Sequence, residues 1–254
     1  MNKQVICFIH LLSWVFLISF AFSAPTRASV INVDTELALL IDGSGSISHE
    51  NFELQKQGYL DALQNLWSST SVFQDSSIAI GVWQFSSRAG DDFIVEHAQT
   101  VIDSLEAFNA LISDIANMSK IGLSTNIGDT IADAATALLN DSIIAGTRKL
   151  IDVSTDGQHN IGTEPVTTAS QAILDGIDQV NCIGIGEAAN CGFIAGDGSF
   201  ALTADSFADF QPLLLTKLRR ELGVELPLPG TNVLFVAGIL LLISLQSGRR
   251  RTFM

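Results

Sequence analysis

The run Leu37-Ala38-Leu39-Leu40-Ile41 passes without a break into Asp42-Gly43-Ser44-Gly45-Ser46. Five consecutive apolar residues suit a strand covered on both faces, the condition of a parallel sheet. Asp42, Ser44 and Ser46, at i, i+2 and i+4, then fall on the loop at that strand's end. The glycines between them let the backbone fold closely around a small object. Three oxygen-bearing side chains converging on one point suit a hard cation, Mg²⁺ or Mn²⁺, rather than zinc. One stretch thus asks for a two-sided sheet and for a strand end that carries chemistry.

The ends of the chain are of a different kind. Residues 1–28 hold Lys3, an uncharged apolar run from Val5 to Phe22, and then Ser23, Ala24 and Ala28. That is the layout of a secretory signal peptide, cut after Ser23, Ala24 or Ala28; an uncleaved anchor is the alternative, since the run approaches the length of a span. Residues 226–254 read as a C-terminal transmembrane or sorting segment. Leu226 to Gly248 carries no charge, and Arg249, Arg250 and Arg251 follow directly, where they favour the cytoplasmic side. Pro227 and Pro229 would stop a helix arriving from the preceding domain, which argues against a buried C-terminal helix.

Between the ends, one domain of ordinary size is expected over residues 32–223. All 27 acids fall between residues 30 and 225, against Lys56, Arg88, Lys120, Arg148, Lys149, Lys217, Arg219 and Arg220. That stretch is therefore more acidic than the whole-chain net charge of −14. Such a surface repels nucleic acid and anionic lipid and attracts cations, which excludes nucleic-acid binding. Once Cys7 leaves with the signal, Cys182 and Cys191 form an even pair in an exported domain. A disulfide and two buried thiols are both open to them, and their spacing fits no zinc pattern.

Short apolar runs alternate with longer amphipathic stretches, the signature of an α/β fold. Strands are expected at 37–41, 77–85, 92–96, 148–154, 179–185 and 199–203. Helices are expected after Ser48, and at about 104–116, 127–139, 165–174 and 204–222. The short connection between the second and third strands reads as a hairpin and makes the third an antiparallel edge strand. The result is a doubly wound, mostly parallel six-stranded sheet with helices on both faces. Lys217, Arg219 and Arg220 fall near the end of the closing helix, where they suit its dipole.

Two further features belong at the same edge of such a sheet: Ser124-Thr125-Asn126-Ile127-Gly128-Asp129 before a helix, and Thr155-Asp156-Gly157 after a strand. Ligands of doubly wound sheets bind where the winding reverses, outside the carboxyl ends of the strands. If the Leu37 and Leu150 strands are neighbours there, Asp42 and Asp156 face each other and Thr125 closes the site from the side. This set resembles the von Willebrand factor A-type domain and its metal-ion-dependent adhesion site (MIDAS), over roughly residues 33–223. The resemblance implies that Ser44, Ser46 and Thr125 bind the metal directly while Asp42 and Asp156 hold its waters. Finer features are similar to a bacterial subgroup of unassigned activity: Tyr59, Ile151-Asp152-Val153-Ser154 ahead of Asp156, Cys191, and Phe207-Ala208-Asp209-Phe210 before Lys217-Leu218. The tail resembles a Pro-Glu-Pro-type sorting signal of exported Gram-negative proteins, handled by an exosortase-like enzyme, although Leu228 stands where the Glu belongs. A plain membrane anchor is the alternative.

Other motifs carry less. Gly184-Ile185-Gly186-Glu187-Ala188-Ala189 resembles a dinucleotide turn but comes late and leads into no long helix, so it reads as a structural loop. Ser44 lacks the nucleophile-elbow pattern. His49, His97 and His159 are expected to be solvated, with His159 able to reach the rim of the site. Asp152 faces inward and needs a partner; Asp129 sits in a first helical turn. The expectation is a non-enzymatic, exported module of the cell envelope, in which a bound Mg²⁺ or Mn²⁺ coordinates an Asp or Glu of a partner protein. The alternatives are a structural surface or biofilm-matrix protein with a stabilising metal, and a metal-assisted hydrolase using His159.

Overall fold

β1 (Ile31–Asp42) enters the protein through exposed residues, and its last eight positions are all buried. Leu37, Leu39 and Ile41 pack on one face of the sheet and Ala38 and Leu40 on the other, so its unbroken apolar run is explained by two covered faces. The computed structural model describes residues 29–88 and 91–224. In chain order the further elements are α1 (His49–Ser69), α2 (Val72–Asp75), β2 (Ile78–Arg88), β3 (Asp91–Val101), α3 (Leu105–Asn117), α4 (Ile127–Asn140), β4 (Ile144–Thr155), α5 (Pro165–Asp175), β5 (Gln179–Ile185), β6 (Ala201–Ala204) and α6 (Phe207–Glu221).

The six strands are ordered β3-β2-β1-β4-β5-β6, and every pair is parallel except β2–β3. The chain winds outward from β1 to β3, returns to the other side of β1, and winds outward again from β4 to β6. The reversal lies between β1 and β4, whose register ends with Ile41 beside Ser154. Beneath one face Phe52, Tyr59 and Leu63 of α1, Phe108 and Leu111 of α3, and Phe210 and Leu214 of α6 form the larger core. Ile127, Ile131 and Ala134 of α4 and Ala169 and Ala172 of α5 close the other face, with Trp83 and Phe85 of β2.

Local chemistry sets the helix starts. The Ser48 hydroxyl caps α1 by accepting the Asn51 N–H at 3.1 Å, and Ser104 does the same for α3 through Ala107 at 3.1 Å. Pro165 opens α5 at a position where its missing N–H costs nothing. The crossover from β5 to β6, residues 186–200, contains no helix. It is a strap held by the Cys182–Cys191 disulfide, by Phe193 buried in the second core, and by Ala195 paired antiparallel with Val180.

Two expectations are corrected. His97 is not solvated: it is buried on β3, and its Nδ1 lies 2.6 Å from Asp114 Oδ2 of α3. Lys217 does not serve the end of α6 as a surface charge. It is fully buried and ion-paired with Asp152 and Glu221, because β4 brings an inward-facing acid beneath the helix. Among the described residues no helix is long and apolar enough to cross a membrane. The apolar runs at 5–22 and 226–248, with their signal, anchor and sorting readings, lie outside the described residues.

Candidate metal-binding site

Asp42 ends β1 and Asp156 follows the last residue of β4, so the winding reversal puts both at one edge of the sheet. Asp42 is wholly buried. Its Oδ1 accepts the Ser44 N–H at 2.8 Å and its Oδ2 the Thr155 hydroxyl at 2.6 Å. The Ser44 and Ser46 hydroxyl oxygens lie 3.0 Å apart, and Ser46 donates to Asp156 Oδ1 at 2.5 Å. A Cβ on Gly157 would stand 3.4 Å from Ser46 Oγ and 3.8 Å from Thr125 Oγ1, which shows both hydroxyls turned toward the same small space. The five residues singled out in the sequence thus come from three loops into one cluster.

The loop bearing Thr125 is held from several sides. Gly45 N–H donates to Leu123 O at 3.1 Å and Gly122 N–H to Gly43 O at 3.0 Å, so it lies directly on the Asp42–Ser46 loop. Asn160 grips Thr125 twice: its Oδ1 accepts the Thr125 N–H at 2.9 Å, and its own N–H donates to Thr125 O at 3.0 Å. From β2, Ser86 donates to Ser124 O at 3.1 Å, and the Gln84 amide accepts from Ile121 N–H while donating to Ser119 O, both at 3.0 Å. Asn160, Gln84 and Ser86 carry no motif and have no signal in the sequence; Thr155 lies in the Thr155-Asp156-Gly157 motif, but the role of its hydroxyl was not anticipated. Asp129 sits in the first turn of α4, where hydrogen bonds from Asn126 and Thr163 outweigh burial and hold its carboxyl below the usual range. His159 lies in the β4–α5 loop near Asp129, and its Nδ1 is buried without a partner.

The charge balance at the centre is uneven. Burial pushes the Asp42 carboxyl up to about 6 against the hydrogen bonds from Ser44 and Thr155. Burial likewise raises Asp156, with the Ser46 hydrogen bond and the more distant Lys120 opposing it. Among the described residues neither carboxylate forms an ion pair with Lys, Arg or His. An enclosed carboxylate without a countercharge is unfavourable, and a divalent cation in the space beside Gly157 would supply one. The donors are oxygens only, and no cluster of three or more His, Cys, Asp or Glu occurs among the described residues. That oxygen set fits a hard divalent cation.

Cys182 and Cys191 form a disulfide with Cα atoms 5.7 Å apart. Next to Cys191, the Asn190 N–H reaches Gly157 O at 3.3 Å, so the strap touches the turn that carries Asp156.

The family profile described as "Protein of unknown function (DUF1194)" matches residues 32–226. No curated protein matches the chain. Among solved structures, proximal thread matrix protein 1 of the mussel byssus is 21% identical with a TM-score of 0.60, over 78% of this chain and 50% of that one. Another structure of the same mussel protein, with a zinc-occupied MIDAS motif, gives a TM-score of 0.57. The pilus adhesin SpaC from Lactobacillus rhamnosus GG is 14% identical, TM-score 0.58, over 77% of this chain and 31% of that one. A von Willebrand factor type A protein from Catenulispora acidiphila is 15% identical, TM-score 0.57, over 75% and 43%. The chain spans about half the length of the mussel protein and less of the other two. At these identities the likeness is one of fold, and the fold is the von Willebrand factor A-type α/β sheet.

Proposed function

The chain belongs to the DUF1194 family of proteins of unknown function, and we propose that it is a non-enzymatic, adhesion-type binding module that takes a divalent cation at the β1–β4 reversal. In this reading Ser44, Ser46 and Thr125 present hydroxyl oxygens to Mg²⁺ or Mn²⁺, and Asp42 and Asp156 hold its waters. When bound, such a cation keeps an exchangeable position that an Asp or Glu of a partner protein can fill. The observation that carries the reading is the buried, unpaired Asp42 beside the hydroxyls of Ser44 and Ser46, at a space that Gly157 leaves open.

The protein does its part before any partner arrives. Thr155 and the Ser44 N–H orient the Asp42 carboxylate, and Asn160 fixes the Thr125 main chain on both sides. Preformed donors of this kind reduce the ordering cost of binding. The disulfide supports the placement of the domain in an oxidising compartment, which we take to be the envelope or surface of a Gram-negative bacterium.

Calorimetric titration with Mg²⁺ and Mn²⁺ should show one site, lost in Asp42→Ala. Partner capture from the native envelope should fail with EDTA and with the same variant. Capture that survives both would sink the mechanism. A structural matrix role, which the likeness to the mussel thread protein keeps in view, would instead show a cation-dependent thermal shift and no cation-dependent partner.

A further inference from the structure

Below the site lies a polar layer that no ligand role accounts for. α1 turns Gln55 and Tyr59, one helical turn apart and both fully buried, toward the sheet. Gln55 Nε2 donates to the main-chain oxygen of Asp42 at 2.8 Å. The Tyr59 hydroxyl donates to Ser154 Oγ at 3.0 Å. Ser154 in turn has Leu40 O and Gln55 Oε1 as acceptors, each at 3.5 Å. One face of α1 is thereby bonded to the end of β1 and to the end of β4, the two strands that deliver Asp42 and Asp156.

The direction of this chain of hydrogen bonds is set by Tyr59. Burial first, then the carboxylates of Asp152 and Glu221, push its phenol well above the usual tyrosine range, so it keeps its proton and acts as a donor. Asp152 is the residue two before Ser154 on β4, and it is ion-paired with Lys217 of α6. Tyr59 therefore stands between the site and the ionic cluster that seats α6, with its ring against Phe210 at 5.7 Å between centroids. A hydroxyl placed this deep is unfavourable unless bonded, and filling the core alone would have been done as well by phenylalanine.

We propose that Gln55, Ser154 and Tyr59 are positioning residues of the site: a buried bridge from α1 that holds the ends of β1 and β4 at the separation at which Asp42, Ser46 and Asp156 meet. The proposal rests on the cation reading of that site for its affinity test and stands apart from it for its exchange test.

The decisive variant is Tyr59→Phe in the full chain, which removes one oxygen and leaves the ring. In cation-free protein we expect amide exchange to quicken about fivefold at Ser44, whose N–H is bonded to Asp42, and at Gly157, while β4 amides such as Val153 keep their rates. In the presence of cation the Mg²⁺ dissociation constant should rise about three- to tenfold. Gln55→Met should repeat both effects. Leu63→Ala, a cavity on the same face of α1 that touches none of the bridge's bonds, should quicken core amides together without singling out Ser44 and Gly157. Unchanged exchange at Ser44 and Gly157 in Tyr59→Phe, or quickening of all β1 and β4 amides alike, would overturn the bridge. If the wild-type protein binds neither Mg²⁺ nor Mn²⁺, the cation reading fails and the exchange result alone decides the bridge.

Discussion

Gly43 is required by its neighbour rather than by its own backbone. A Cβ there would stand 2.1 Å from Gln84 Oε1, the atom that accepts the Ile121 N–H at 3.0 Å. Gly43→Ala must push Gln84 aside, and with it the clamp on the loop that leads to Thr125. We expect a loss of about 1–3 kcal/mol in denaturant unfolding, the usual cost of overpacking. Gln84→Ala should be less costly in the Gly43→Ala background than alone, because the clash and the clamp are the same atoms. Costs that simply add would show that the glycine serves something else. Asp42, Ser44 and Ser46 were readable in sequence because small residues alternate with oxygen-bearing ones immediately after a buried run. Gln84, Asn160 and Gln55 were not readable. Each is a lone carboxamide that bonds a main-chain group of the site's loops or strand ends, and main-chain groups leave no trace in the side-chain pattern. His97 and Lys217 were misjudged for a related reason. Polarity alone points to solvent, and their acids, Asp114 for the one and Asp152 and Glu221 for the other, are brought beside them by the fold or by the helical turn.

Among elements, α1, α3, α4 and α5 and strand β5 were legible from periodicity and, for α1, from the cap Ser48, which acts over three residues. The extents of β3 and β4 were not. Behind the buried Ile144, residues 145–149 of β4 are part-exposed or exposed with no alternation, and the segment is strand only because Ile31 to Glu36 of β1 pair with it. The β5–β6 strap is the element furthest from expectation. Parallel neighbours are joined by a crossover of a dozen or more residues that usually contains a helix. Here residues 186–200 have none, and the Cys182–Cys191 bond ties the strap to β5 in place of a packed helix. Whether the two cysteines were bonded could not be decided from their spacing, since it depends on the strap returning along β5. Reduction, or Cys191→Ser, should lower unfolding stability by about 2–3 kcal/mol, the value for closing a loop of this length. Because Asn190 meets Gly157, the amide of Asn190 should also lose protection. An equal midpoint for the oxidised and reduced forms in guanidinium would show that Phe193 and the Ala195–Val180 pairing hold the strap unaided.

At the scale of the molecule, the order β3-β2-β1-β4-β5-β6 turns a list of motifs into one site. The alternation of strands and helices made the doubly wound class legible, while the adjacency of β1 and β4 stood in the sequence only as a condition. The packing of α6 onto the sheet was not, because it depends on charges within the core. Asp152, Lys217 and Glu221 are all fully buried, two carboxylates against one ammonium. Glu221 Oε1 also accepts from Asn181 Nδ2 at 2.9 Å, and Arg148 Nη1 donates to the Glu221 carbonyl at 3.1 Å. Burial first, then the Asp152 carboxylate, push the Glu221 carboxyl up to about 8, with Lys217 and Asn181 opposing. The sign of the resulting pH dependence follows from proton counting. The unfolded chain gives up this proton near 4.5 and the folded chain near 8, so between those values the folded state binds more protons. Stability is then highest on the acid side of the window and falls as pH rises through it, by up to about 1.4 kcal/mol per pH unit. Asp42, raised to about 6, has the same sign but has lost most of its proton by about pH 7. The interval from about pH 7 to 8 therefore reports mainly Glu221. Glu221→Gln keeps the acceptor for Lys217 and Asn181 and carries no proton to lose. Its unfolding free energy should stay flatter across that interval, so that the difference from wild type grows steadily in the variant's favour toward pH 8. Parallel curves would mean that Glu221 is already ionised in the folded protein and that α6 is seated by a net negative cluster.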